Sequence, residues 1–125
     1  MARILVVDDE DSIRSFVHRA LELDGHQVTT ASDGAEALDK LIAEPDGYEL
    51  LLSDIRMPLM DGIALALSAA RDCPDMTILL MTGFADQRER ASDLEALIHD
   101  VVTKPFSLAD IRGAVDGALE SRKAA

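Results

Sequence analysis

Five short runs of β-prone residues recur along the chain, each followed by a stretch whose apolar residues return at helical spacing. The runs are Ile4–Val7, His26–Ala31, Leu50–Ser53, Thr77–Met81 and Val101–Thr103. They are near-continuous rather than alternating, which marks strands buried on both faces. Parallel strands of that kind need a helix to carry the chain back between them. The units begin roughly every 23–27 residues and share no sequence, so the period is that of βα geometry and not of a solenoid. The pattern predicts an α/β fold: a doubly wound, five-stranded parallel sheet with five helices on its two faces.

Local signals set the helices. Ile13, Phe16, Val17, Ala20 and Leu21 form one stripe, which Gly25 stops. Ser32–Asp33–Gly34 opens a second helix, with Glu36 placed to complete a capping box with Asp33, and Leu38, Leu41 and Ile42 continue it. Asp61–Gly62 opens a third through Leu65 and Ala69, ending before Pro74. The polar segment from Asp86 to Asp93 reads as a short fourth helix. Ser107, with Asp110 as its capping partner, begins the last, whose stripe is Ile111, Val115, Ala118 and Leu119. The 125 residues make one domain over 1–121, with 122–125 as a tail.

Composition excludes whole classes of function. Twelve Lys and Arg oppose 24 Asp and Glu, a net charge of -12. That field repels nucleic acid and anionic membranes, and favours cations or basic protein surfaces. Cys73 stands alone, so there is no intramolecular disulfide. The N-terminus does not read as a signal peptide, and no uncharged apolar run approaches the ~20 residues of a membrane helix. The expected location is cytoplasmic.

In an open parallel sheet, ligands bind beyond the carboxyl ends of the strands. Strand one ends in Asp8, Asp9 and Glu10, strand three in Asp54, strand four in Thr82 and Gly83, strand five in Lys104 and Pro105. Clustered carboxylates repel and need a hard cation such as Mg²⁺, which leaves room for phosphate oxygens. Lys104 suits a phosphate, and Thr82 offers a hydroxyl. A single attacking carboxylate among such groups suits phosphoryl transfer.

Four motifs stand in order: VVDDE at Val6–Glu10, SDIRMPLMDG at Ser53–Gly62, MTG at Met81–Gly83 and TKPF at Thr103–Phe106. With them the chain resembles the response-regulator receiver domain, the CheY-like family, over essentially its whole length. In LLLSDIRMP and MTGFA it is also similar to stand-alone receivers of the CpdR type. The resemblance implies a flavodoxin-like sheet of order 2-1-3-4-5. It implies Asp54 as phosphoacceptor, taking its phosphoryl group from a histidine kinase or histidine phosphotransferase. Asp8, Asp9, Asp54 and the backbone carbonyl of Arg56 would bind Mg²⁺, and Lys104 and Thr82 would meet the phosphoryl group. The Lys104–Pro105 peptide would be cis. Thr82 and Val101 occupy the family's switch positions. Val101 is a departure, because an aromatic residue often stands there. Phe84 lies near the site mouth, placed to pack or to gate water, and Gly83 leaves space for a phosphoryl group.

Plainer readings exist for the same residues. Asp8 and Asp9 alone read equally well as caps of the first helix. Asp54 alone reads as a turn residue before Pro58, Thr82 as a strand end and Lys104 as a solvated charge. His18, His26 and His99 show no ligand spacing and read as surface or capping residues. Cys73 reads as helix-end packing, Gln87–Arg90 as a solvated face, and Met57 and Met60 as packing for the loop after Asp54.

Three functions compete. The first is a stand-alone phosphorylation switch acting on a downstream protein through the fourth helix, fifth strand and fifth helix. The second is a phosphorylation-independent binding module; the CpdR likeness suits an adaptor to an energy-dependent protease. The third, an aspartate-nucleophile phosphatase, lacks the DxDxT-like pattern and a cap segment, so no turnover enzyme is expected.

Overall fold

The computed structural model describes residues 2–84, 89–91, 94 and 96–124. Its elements run β1 (Arg3–Val7), α1 (Asp11–Glu22), β2 (Gln27–Ala31), α2 (Gly34–Ala43), β3 (Leu50–Asp54), α3 (Gly62–Asp72), β4 (Thr77–Thr82), β5 (Asp100–Thr103) and α4 (Leu108–Ala124). All five strands pair in parallel, in the order β2-β1-β3-β4-β5.

The continuous apolar runs have a direct physical cause. Successive side chains of a strand point to opposite faces, and here both faces are covered. Leu5, Val7, Leu51, Ile78 and Leu80 join Ala37, Leu41, Leu65 and Ala69 in the core under α2 and α3. Ile4, Val6, Leu50, Leu52, Leu79 and Met81 join Val17, Leu21, Ile111 and Val115 in the core under α1 and α4. The outer strands differ. Only Ala31 of β2 and no residue of β5 is fully buried, because an edge strand has a neighbour on one side only.

Caps explain the helix starts. Asp33 accepts the Glu36 N–H at 2.8 Å. Glu36 reaches back not to Asp33 but to Ser32, taking its N–H at 2.8 Å and its hydroxyl at 3.0 Å. Asp61 caps α3 by accepting the Ala64 N–H at 2.9 Å. Ser107 and Asp110 form a reciprocal box, both bonds at 3.0 Å. Gly25 ends the turn after α1 at a φ of 81°.

Two expectations are refined. Helix α4 continues through Ala124, so the stretch read as a tail is helical. Phe16 and Ile42 lie on the predicted stripes yet are 38% and 62% exposed. The stripe of a helix is wider than the strip its sheet covers. Of the short helix predicted over 86–93, only 89–91 lie among the described residues, and these are helical. Among the described residues no helix is long and apolar enough to cross a membrane.

The loop between β3 and α3 carries one strained residue. Leu59 has a φ of 69° and is 91% exposed. A left-handed conformation costs a non-glycine residue roughly 1–2 kcal/mol. Glycine in its place loses part of that gain to the entropy of the unfolded chain, roughly 0.5–1 kcal/mol. Leu59→Gly is expected to raise stability by about 0.5–1 kcal/mol in urea denaturation; a loss would show that the Leu59 side chain is itself stabilising.

Candidate functional site

Register assembles the site. Val7 pairs with Ser53, Asp54 with Met81, and Thr82 with Thr103. Asp8, Asp54, Thr82 and Lys104 therefore stand at four adjacent strand ends, at one edge of the sheet. Asp8, Asp54 and Thr82 are buried, and Asp9 is exposed. One carboxylate oxygen from each of Asp8, Asp9 and Asp54 lies within 4.8 Å of the others.

Lys104 closes the group. Its Nζ donates to Asp8 Oδ2 at 2.7 Å and lies 3.3 Å from Asp54 Oδ1. The Lys104–Pro105 peptide is cis. Asp8 is fixed from three further directions. Its N–H donates to Ala31 O at 3.2 Å. Its Oδ1 accepts the Glu10 N–H at 2.9 Å, and its carbonyl accepts Arg14 Nη1 at 2.6 Å. The Glu10 bond is an Asx turn that leads into α1. Asp8 therefore does not cap α1, whose N-cap is Glu10 with no side-chain cap bond; its Oδ1 shapes the turn before the helix while its Oδ2 meets Lys104.

Asp54 sits at the end of β3, and the backbone of the next residue, Ile55, is held from both sides. Ile55 N–H donates to Met81 O at 3.0 Å, and Gly62 N–H to Ile55 O at 2.8 Å. A Cβ on Gly62 would fall 2.1 Å from Asp54 O, so only glycine lets α3 start this close to the acidic residue. Thr82 Oγ1 accepts the Phe84 N–H at 3.1 Å, and the Thr82 carbonyl accepts the Lys104 N–H at 2.9 Å. Gly83 leaves room: a Cβ there would meet Lys104 no closer than 3.7 Å. Across the mouth, the Arg56 guanidinium lies 4.9 Å from the centre of the Phe84 ring. Sequence spacing marks Phe84 but not this cation–π pair. Val101 is half-buried and packs against the core under α2 and α3.

Electrostatics make Asp54 the unusual member. Burial first, then the charge of Asp8, pushes its pKa up to about 6 from an ordinary 3.8, against the opposing pull of Lys104. Burial works to lower Lys104, but its hydrogen bond to Asp8 and the charges of Asp54 and Asp8 outweigh this, and its pKa is raised. Three carboxylates thus face one ammonium. The donors are all hard oxygens, with no thiolate or imidazole among them, which fits a hard divalent cation of the Mg²⁺ kind.

The remaining residues of interest have structural partners. His18 lies 3.7 Å from Glu22, and His99 N–H donates to Ile78 O at 2.7 Å. His26 Nδ1 accepts the Ala2 N–H at 3.2 Å. A second cluster, Asp24, His26 and Asp116, was invisible to spacing; Arg112, 88 residues beyond Asp24, forks onto its carboxylate at 3.0 and 3.1 Å through Nε. Cys73 is buried at the end of α3, and Met57 is buried beneath the loop after Asp54. Gln87 and Arg88 lie outside the described residues; Arg90 pairs with Asp61 at 3.1 Å.

The family model of the response regulator receiver domain matches residues 4–116. The response regulator receiver protein CpdR of Brucella abortus is 40% identical over 119 residues, covering 95% of this chain and 98% of that one. Other relatives are longer, and the chain spans about half of their length, 52%. Among solved structures, a response regulator receiver domain protein from Clostridium thermocellum superposes with a TM-score of 0.89 at 27% identity, covering 99% and 98% of the two chains. The response regulator TrrA of Thermotoga maritima, in complex with Mg²⁺ and BeF, does so with 0.83 at 32%, covering 94% and 99%.

The raised Asp54 pKa has a stability consequence of definite sign. Between the ordinary value and about 6, the folded protein binds more protons at Asp54 than the unfolded chain. The stability from this group is complete below the unfolded pKa and is lost as pH rises through the folded one. With divalent cations chelated, Asp54→Asn is expected to be more stable than wild type at pH 7, by on the order of 2–3 kcal/mol. The difference should shrink towards zero near the acid end of the window. Urea denaturation at both ends measures it; equal stability at pH 7 would show that Asp54 is not held against its charge.

Proposed function

We infer the function from one premise: the chain belongs to the response regulator receiver domain family, the receiving component of two-component signalling. On that basis it is a phosphorylation switch. Asp54 accepts a phosphoryl group from a phosphohistidine on a histidine kinase or histidine phosphotransferase, and a protein-binding surface changes in response. The observation that carries this reading is the position of Asp54, with Asp8 and Asp9 within 4.8 Å and Lys104 Nζ at 3.3 Å.

Asp8, Asp9, Asp54 and the Arg56 carbonyl would hold Mg²⁺, the ion found with BeF on the Thermotoga relative. When bound, the ion neutralises carboxylate and phosphoryl oxygens. The chain's own groups do the rest. An Asp54 carboxylate oxygen forms the new bond to phosphorus as the phosphorus–nitrogen bond of the donor breaks, giving an acyl phosphate. Lys104, held by Asp8, offers its charge to a phosphoryl oxygen without leaving the site. Thr82 Oγ1 exchanges its Phe84 contact for the phosphoryl group. The Arg56–Phe84 pair at the mouth limits water. No turnover substrate is required.

Output runs through the surface of the 89–91 segment, β5 and α4. A second reading is favoured by one observation, Val101 in place of an aromatic side chain. In it the unphosphorylated form binds its partner, as an adaptor to an energy-dependent protease would. Partner capture with and without a beryllofluoride mimic separates the two.

Two outcomes are expected. Incubation with Mg²⁺ and a small acyl-phosphate donor should add one phosphoryl group by intact mass to wild type, and none to Asp54→Ala. Persistent labelling of Asp54→Ala, or labelling in excess chelator, would defeat the assignment. Phe84→Ala should shorten the lifetime of the aspartyl phosphate, followed by the decay of that mass; an unchanged lifetime would remove the water-limiting role.

A further inference from the structure

We propose that Gly34, the first residue of α2, is a positioning residue for the loop joining Asp54 to α3, and through that loop for the cation site. The inference rests on the reading of Asp8, Asp9, Asp54 and the Arg56 carbonyl as Mg²⁺ ligands. A Cβ at position 34 would lie 2.5 Å from Met60 O, 2.9 Å from Met60 Cβ and 3.0 Å from Met60 Cγ. No side-chain rotation relieves a clash with a backbone oxygen, so either the helix or the loop must move.

Helix α2 has little freedom to retreat. Its first turn is tied by the Asp33, Ser32 and Glu36 bonds, all between 2.8 and 3.0 Å. Gly34, Ala37 and Leu41 share one buried face, so a retreat of the helix from Met60 would unpack Ala37 and Leu41 from the core. A close-packed core resists displacement. The loop has open space instead. Pro58 and Leu59 are exposed, and Leu59 already holds a left-handed φ of 69°. Met60 N–H is bonded to Pro58 O at 2.8 Å, and Gly62 N–H to Ile55 O at 2.8 Å. Those two bonds make the turn one short unit, so a displacement of Met60 passes to Met57 and Arg56. Gly34 thus gives the loop its seat, although it lies 20 residues before Asp54 on a separate helix.

The test is a Mg²⁺ titration followed by backbone amide NMR shifts, with the thermal midpoint of each protein measured in chelator. The parent carries Gly113→Ala and Gly117→Ala, two α4 positions where an added Cβ meets nothing within 4 Å, so that a destabilised variant stays folded. Gly34→Ala in that parent is expected to raise the Mg²⁺ Kd about tenfold. The Gly34→Ala/Met60→Gly pair, which removes the Cβ and Cγ contacts, should recover part of the loss. A Gly34→Ala Kd equal to the parent's, whatever its thermal midpoint, overturns the positioning role and leaves the cation site standing. Absence of Mg²⁺ binding by the parent and by the unaltered protein overturns the cation site itself, and the inference with it. A Gly34→Ala chain that is unfolded even in the stabilised parent, with its Met60→Gly pair binding like the parent, also overturns the role, because the effect is then on folding alone.

Discussion

Two carboxylates are buried side by side at the ends of β1 and β3, and one ammonium from the far end of the chain holds them there. Lys104 lies 96 residues beyond Asp8, and their bond is 2.7 Å long. Burial and the neighbouring charge of Asp8 both disfavour ionisation of Asp54, and Lys104 opposes them. Lys104 answers Asp8 closely and Asp54 less closely, at 2.7 Å against 3.3 Å. Burial and the charge of Asp8 outweigh the more distant Lys104 at Asp54, whose pKa is raised. A carboxylate under this tension gains from any further positive charge beside it, which is the condition a cation-assisted acceptor requires.

The rest of the architecture serves this pairing. Parallel register places the strand ends in line, and two cores of opposite orientation keep the central strands dry on both faces. Immediately beyond Asp54 the backbone is crowded: Gly62 admits no side chain, Gly34 admits none from the opposite helix, and Leu59 is forced into a left-handed turn. Strain of this kind persists only where neighbouring packing over-determines it. It lies in the one loop that runs from the acceptor carboxylate to the next helix.

The parallel sheet, its two-sided burial and the acids at its strand ends were legible in the sequence, because each is a property of short, local patterns. Ile4–Val7 and Leu50–Ser53 announce buried strands by themselves, and Asp61–Gly62 announces a helix start. What was not legible depends on distance in space. Arg112 on Asp24, Arg90 on Asp61 and Arg56 over Phe84 join separate elements, and no spacing rule predicts such partners. The extent of exposure was also hidden. Ile42 obeys helical periodicity yet faces water, since periodicity reports direction around a helix and not how much of it a sheet covers. Glu36 shows a finer limit: its spacing foretold a cap, but the choice of Ser32 over Asp33 is set by side-chain geometry.

The valine at position 101 bears on how a change at Asp54 could reach the distal face. A large ring can rotate between buried and exposed positions; a β-branched side chain has few rotamers and little surface to exchange. Val101 is paired with Leu80 in the sheet and packs on the core. The main chain also joins the site to β5. The Thr82 carbonyl accepts the Lys104 N–H at 2.9 Å, so the two residues that would meet a phosphoryl group are tied to each other through the β4–β5 ladder. Any displacement of Thr82 towards Asp54 draws on that ladder at its edge strand, where burial is least. Among the described strands β5 has no fully buried residue, and it lies directly beside β4, which carries Thr82.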